Sequence, residues 1–277
     1  MSSTDLLHQV DLEIVKEVVK ICDNHGLTYY MLGGTMLGAI RHKGFIPWDD
    51  DIDLGIPRQD YEKFLEIAPS ELSNHLKVVN YKTDPEYHYY ITRVLDTDTK
   101  VVEERIGDDK KYTNASIDIF PIDGTPNNSI LRRIYFFRVL YHRALMSLCY
   151  KDSIDRKRPR GILEKVFLWM MERIPIEKMT TPYQQKEKID RLLRKQKLEG
   201  AKFIGNIMGA YRTREIVPAE FYGSGKMYPF ENIELRGMYL ANEYLVYTYG
   251  DYMKLPPENE RKTHFKILEI HGKSVED

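Results

Sequence analysis

LGGTMLGAIRHKGFIPWDDDIDLGI, residues 32–56, holds the two features that decide the fold: a double glycine at Gly33 and Gly34, and a carboxylate run of Asp49, Asp50, Asp51 and Asp53 that turns apolar at every second residue. Side chains of a strand alternate between its faces, so a core that takes Ile52, Leu54 and Ile56 leaves Asp51 and Asp53 together on the opposite face. Two anions side by side need a counter-charge. Oxygen-only ligands suit magnesium, which uses one or two carboxylates and keeps its other positions for water and substrate phosphate. The alternative is an acidic surface turn, and the interleaved Ile52 and Leu54 count against it.

Upstream, 27–32 reads as a strand, Gly33 and Gly34 as a turn, and 35–41 as a helix that begins directly after it. Strand, glycine turn and helix N-terminus present backbone N–H groups and the positive end of a dipole to an anion. Neither the Walker nor the G-x-G-x-x-G dinucleotide pattern is present, because Gly38 follows Gly34 by four and no Gly-Lys-Ser/Thr occurs. An EF-hand calcium loop also fails, since its glycine and terminal glutamate positions are Leu54 and Asp60.

Further outward, 4–24 predicts a helix with Leu7, Val10, Ile14, Val18 and Ile21 on one face, Thr4 as its N-cap and Gly26 just past its end. A helix over 58–68 is expected to stop at Pro69, with short strands at 76–80, 89–95 and 100–103. The apolar run 115–124 carries an embedded carboxylate, Asp118, which we read as a third acid; the competing role is an ion pair with Arg93 or Lys100. Two metal-binding carboxylates on one strand and a third on another suit phosphoryl or nucleotidyl transfer, the third orienting or deprotonating the attacking hydroxyl.

From 129 to 196 the pattern is helical, with candidates near 130–150, 161–173 and 184–197 and a basic link at 155–160. The stretch 134–141 is too interrupted by Arg132, Arg133, Arg138 and Arg143 to span a bilayer. With Phe167, Leu168, Trp169, Met170 and Met171 it packs in a core or lies on a bilayer surface as a basic amphipathic helix, and core packing is the first expectation. A strand pair near 227–239 and a helix near 241–249 follow.

The chain has 277 residues, enough for one elaborated catalytic unit. Lys and Arg total 41 against 42 Asp and Glu, which gives no basic excess for a nucleic-acid partner. The first twenty residues lack a basic region followed by an apolar one, so a cytoplasmic location is expected. Cys22 and Cys149, the two cysteines, form neither a zinc spacing nor a disulfide framework.

The run GGTMLGAIRHKGFIPWDDDIDLGIPRQDYEKF resembles the signature of the LicD/fukutin family, phosphorylcholine and sugar-phosphate transferases on a nucleotidyltransferase fold. Ser116-Ile117-Asp118-Ile119-Phe120-Pro121-Ile122-Asp123 and the stretch from Tyr249-Gly250-Asp251-Tyr252-Met253 through Pro256-Pro257 to Arg261 and His264 extend the resemblance. It implies an α+β fold, a mixed sheet flanked by helices. A single transferase domain would cover 1–277, with a core at about 1–125, a helical extension at about 126–215 and a C-terminal part at about 216–277 completing the site. The implied reaction moves phosphocholine from CDP-choline to a hydroxyl of a cell-surface glycan precursor, of teichoic acid or lipopolysaccharide type, and releases CMP. The enzyme would be a magnesium-dependent phosphotransferase, with manganese as a substitute; peripheral contact with the inner face of the cell membrane is the alternative that the amphipathic stretch 134–141 itself offers.

Asp51, Asp53 and Asp118 match the catalytic acids, Asp51 and Asp53 with Asp49 the metal ligands, and Gly33, Gly34 and Thr35 the phosphate turn. The long gap from Gly34 to Asp51 keeps Asp49 with Asp51 open as the true pair. Arg41, Lys43 and Arg93 are candidates for phosphate, His264 for substrate. Trp48 is the first aromatic suspect for the quaternary ammonium, with Tyr89, Tyr90 and Tyr112 as companions. Two other readings use the same residues: transfer of a nucleoside monophosphate to a small molecule, or glycan binding without turnover.

Overall fold

The structure is a computed structural model and describes residues 2–104, 110–150, 179–261, 263, 265–270 and 272–275. The expected helix at 161–173, the link at 155–160 and His264 lie outside the described residues.

Helix α1, Ser3–Asn24, buries Leu7, Ile14, Val15, Val18 and Ile21 at helical spacing. Its cap is Ser2 rather than Thr4: the Ser2 hydroxyl accepts from the Asp5 N–H at 3.1 Å while Asp5 Oδ2 accepts from the Ser2 N–H at 2.9 Å. That reciprocal pair needs a carboxylate or amide side chain three residues on. Strand β1 shortens to Tyr30–Met31, and α2 runs Gly33–Arg41 with Leu32 at its N-cap, so the two glycines form the first helical turn itself. Gly33 sits at φ +49°, which costs a residue with a Cβ strain and costs glycine none.

Strand β2, Asp53–Pro57, leads directly into α3, Arg58–Glu71. That helix passes through Pro69 instead of stopping there, because the ring removes a single backbone donor in the last turn, and it ends where the Leu72 N–H donates to Ala68 O. β3 is Leu76–Val79. The strands expected at 89–95 and 100–103 are one, β4, Thr92–Glu104, with an irregular register between Leu95 and Lys100; β5 spans Lys110–Gly124.

Helices α4, Ser129–Cys149, and α5, Pro182–Arg194, follow, then β6, Phe203–Gly205, β7, Ile216–Pro218, and the short α6, Ala219–Tyr222. The hairpin β8, Lys226–Phe230, with β9, Ile233–Gly237, precedes α7, Ala241–Tyr249; β10, Phe265–Ile270, and β11, Lys273–Ser274, close the chain.

The main sheet runs β1-β2-β5-β4-β10-β11, with β3 on β4, β6 on β5 and β7 on β6. Among the described residues its pairs are antiparallel except β2 with β5, which makes the sheet mixed and the fold α+β. The main core joins Ile14, Val15 and Val18 of α1 and Phe64 of α3 to Ile52, Leu54, Ile56, Ile117 and Ile119. By strand alternation Asp51, Asp53 and Asp118 therefore turn to the other face of the sheet. On that side a second, smaller core joins Tyr135 and Val139 of α4, Ile189, Leu192 and Leu193 of α5, and Tyr81, Tyr90, Ile207 and Met208.

The two cores are tied by Arg58 at the start of α3. Its guanidinium donates to Asp123 Oδ1 at 2.7 Å and Oδ2 at 2.6 Å, and to Asp190 of α5 at 3.3 Å. Among the described residues no helix is long and apolar enough to cross a membrane.

Candidate active site

Parallel pairing sets the centre of the site. Asp53 of β2 stands opposite Asp118 of β5 in the ladder, and the Asp118 N–H donates to Ile52 O at 2.8 Å. The start of β2 is clasped to the start of α2: the Leu32 N–H donates to Asp53 O at 3.0 Å, and the Asp53 N–H to Thr35 Oγ1 at 2.8 Å. Thr35 is buried, its hydroxyl oxygen accepts the Asp53 N–H, and its side chain does not line the cavity that Gly33 and Gly34 line.

The glycines earn their places by close approach. A Cβ on Gly33 would lie 3.3 Å from Asp53 Oδ2, and one on Gly34 would overlap Asp49 Oδ2. Helix α2 thus receives two carboxylates against its first turn, where the dipole favours them. One N–H of that turn is already engaged, since Gly33 donates to the Tyr244 hydroxyl at 2.9 Å.

Two cavities meet at the acids. The first, of about 530 Å³, is lined by Gly33, Gly34, Trp48, Asp49, Asp50, Tyr211, Glu215 and Tyr249. The second, of about 480 Å³, is lined by His88, Tyr89, Tyr90, Arg93, Asp118, Arg143, Met146 and Tyr150. Asp51, Asp53, Phe120, Gly209 and Ala210 belong to both. Asp51 and Asp53 therefore form the divide between two chambers.

Burial, followed by the charges of Asp49 and Asp118, pushes Asp51 well above the usual carboxylate range. Burial and then Asp51 and Asp118 do the same to Asp53. Asp118 is raised by burial and drawn back by Arg93, whose Nε donates to Asp118 Oδ1 at 2.7 Å. The ion pair anticipated for Asp118 is thus real, and it coexists with the residue's place at the cavity wall. Behind these acids Asp11 of α1 is fully buried, and neither of its carboxylate oxygens has a hydrogen-bond partner among the described residues. So many crowded acids describe a site built for positive charge.

Carboxylate oxygens of Asp49, Asp50 and Asp51 lie within 4.8 Å of one another. An all-oxygen set of this kind fits magnesium or manganese. Asp50 also accepts the Phe265 N–H at 3.0 Å, which ties the C-terminal strand to the trio.

The other expected residues divide. Trp48 lines the first chamber, but the guanidinium of Arg261 lies 5.2 Å and that of Arg41 6.0 Å from its ring centre, so that face already holds cations. Arg41 donates to Tyr252 O at 2.8 Å and lines neither chamber. Lys43 is exposed, adopts φ +63° and lines neither chamber. Arg41 nevertheless stands close enough to Asp49 and Tyr249 of the first chamber to feel their charge. Arg93 does reach the second chamber, paired with Asp118. Tyr89 and Tyr90 line that chamber, whereas Tyr112 is exposed.

Sequence reading missed Arg143 and Glu215. Arg143 of α4 donates to Ile207 O and Gly209 O, both at 2.9 Å. Glu215 accepts from the Tyr211 N–H at 2.7 Å and Asn206 Nδ2 at 3.3 Å, and burial pushes its carboxyl up to about 7. From two sides they hold the 206–211 loop that floors both chambers. The sole clue in sequence was Gly209, where a Cβ would overlap Glu215.

The model of the family described as LicD/FKTN/FKRP, nucleotidyltransferase domain, matches residues 26–153. The chain is 28% identical over 261 residues to the lipopolysaccharide cholinephosphotransferase LicD of Haemophilus influenzae, covering 92% of this chain and 93% of that protein. It is 46% identical over 48 residues to the human ribitol 5-phosphate transferase FKRP, 17% of this chain and 10% of the relative. A 65-residue match to the mouse ribitol-5-phosphate transferase FKTN, at 35% identity, covers 24% of this chain and 14% of the relative. The resemblance carried by the glycine and aspartate motifs is borne out.

Proposed function

For a chain with a LicD/FKTN/FKRP-type nucleotidyltransferase domain, we propose that the two-chambered cleft transfers phosphocholine from CDP-choline to a hydroxyl of a cell-surface glycan precursor and releases CMP. The protein is an enzyme of the phosphotransferase class, as its named relatives are. One observation carries the reading: Asp53 and Asp118, in register on parallel strands, stand where a chamber floored by a helix N-terminus meets a chamber walled by aromatic rings.

The nucleotide fits the first chamber. Gly33 and Gly34 line it with the Asp53 and Asp49 carboxylates packed against them, the α2 dipole favours negative charge there, and Trp48, Tyr211 and Tyr249 offer faces to the base and ribose. The quaternary ammonium is assigned to the second chamber, lined by His88, Tyr90 and Tyr150; Tyr89 on its wall already faces the Arg93 guanidinium at 4.3 Å. Each ring face is worth about 0.5–2 kcal/mol to such a cation. Trp48, already facing two guanidinium groups, suits the nucleotide better than choline.

Asp49 and Asp51, two of the three acids whose carboxylate oxygens lie within 4.8 Å of one another, would hold a magnesium or manganese ion with Asp53 as a further ligand, and the ion when bound would neutralise charge on the diphosphate. The acceptor hydroxyl enters from the second chamber and attacks the phosphorus that bears choline. Asp118, fixed in orientation by Arg93, takes the hydroxyl proton as the new P–O bond forms. The bond to the CMP oxygen breaks on the opposite side, toward the first chamber. Positioning and charge neutralisation supply most of the rate.

Calorimetry with CDP-choline, CTP and ATP, each with magnesium and with chelator, tests the reading. Magnesium-dependent preference for CDP-choline is expected; tighter binding of CTP or ATP would shift the assignment to nucleotidyl transfer.

A further inference from the structure

The N-terminal two-thirds of α4 exposes an apolar ridge that the cleft does not use. Ile130, Ile134, Phe137 and Tyr141 are 66%, 51%, 70% and 52% exposed. Their spacing is four, three and four, so at 3.6 residues per turn they fall on one narrow stripe. Tyr135 and Val139, on the opposite side, are buried in the second core. The stretch expected first as core packing is therefore split: one face packs and the other faces outward. The Phe137 and Tyr141 rings stack at 6.4 Å along the ridge.

Charge supplies the second observation. The helix has four arginines and no acidic residue, within a chain whose net charge is −1. Arg133 and Arg138 are exposed, and their positions on the helical wheel place one on each side of the stripe. An apolar stripe with aromatic members, bordered on both sides by guanidinium groups, matches the depth profile of a bilayer surface: side chains enter the acyl boundary and cations meet the headgroups.

We infer that this face of α4 docks on an anionic lipid surface. Arg143, Met146 and Ser147 of the same helix line the second chamber. From Phe137 to Arg143 the helix advances about 9 Å. Seating the ridge in the headgroup layer brings the chamber proposed for the acceptor hydroxyl within reach of a glycan whose lipid stays in the bilayer. The docking itself does not depend on the reaction assigned to the cleft.

Sedimentation of the full-length chain with sucrose-loaded vesicles tests this. Vesicles of phosphatidylcholine with phosphatidylglycerol are expected to carry the protein down, with binding that weakens as salt rises, and pure phosphatidylcholine vesicles to bind it about tenfold less. Phe137→Glu with Ile134→Glu should lower binding at least about tenfold without changing the melting temperature or the affinity for CDP-choline. Arg133→Gln with Arg138→Gln should remove the preference for anionic lipid. Unchanged vesicle binding by the glutamate variant would overturn the inference. So would a wild-type protein that ignores anionic vesicles, and so would a wild-type dimer that the glutamate variant splits, since the ridge would then belong to a second copy of the chain.

Discussion

Asp53 and Asp118 are register partners across the one parallel step described in the sheet, and the Asp118 N–H closes that step on Ile52 O at 2.8 Å. Their separation of 65 residues in sequence disappears because α3, β3 and β4 form the crossover between two neighbouring strands. The pairing places two acids side by side on one face while Ile52, Leu54, Ile117 and Ile119 fill the other.

Asp53→Asn should lower kcat by about 10³ or more with little change in fold, since it removes a charge that the transition state requires. In chelator the variant should also melt at or above the wild-type temperature, because Asp53 is crowded by Asp51 and Asp118. Turnover assays beside thermal melts check both; an active variant would remove Asp53 from the machinery.

Gly34→Ala drives a methyl group into Asp49 Oδ2. Displacing that carboxylate is expected to cost about tenfold or more in magnesium-dependent activity, a loss of the scale seen when supporting contacts of a metal site are disturbed. Gly33→Ala should add backbone strain of about 1–2 kcal/mol through its φ of +49°. Magnesium titration of activity separates the two effects: raised metal demand belongs to Gly34, lowered melting temperature to Gly33.

Glu215 binds its proton more tightly in the folded chain, at about 7, than at its ordinary value of 4.5. Its contribution to stability is therefore fully present below about pH 4.5 and is lost as pH rises through about 7, an effect of order 1–3 kcal/mol. Glu215→Gln keeps an acceptor for the Tyr211 N–H and should flatten that decline. Urea unfolding of the metal-free protein at both ends of this window measures it; parallel slopes for wild type and variant would contradict the assignment.

Arg58→Ala should destabilise the fold by about 3–5 kcal/mol, because Asp123 would be left buried without its ion-pair partner, while Asp190 keeps Arg194 and Lys82. Denaturant midpoints give the loss. A variant as stable as wild type would show that the two cores are joined by apolar packing alone.

Much of this was legible in sequence because it rests on local periodicity. Ile52, Leu54 and Ile56 alternate with carboxylates, so the face of β2 followed directly, and Asp118 stood out as one charge in an apolar run. The helix start at Gly33 was missed because an N-cap at Leu32 has no side-chain cap to betray it. Arg143 and Glu215 were not legible: each is a single residue outside any periodic pattern, and its role comes from contacts with the 206–211 loop, which is distant in sequence from Arg143 and irregular where it approaches Glu215. Arg41 and Lys43 show the converse, since adjacency to the acids in sequence did not make either side chain line a chamber.

The most direct measurement follows the phosphorus. CDP-choline labelled in the phosphate next to choline is incubated with the protein, magnesium and a glycan acceptor, and the products are separated. The expected result is label on the acceptor with unlabelled CMP released, abolished in Asp53→Asn; label leaving as free phosphocholine while CMP joins the acceptor would contradict the account.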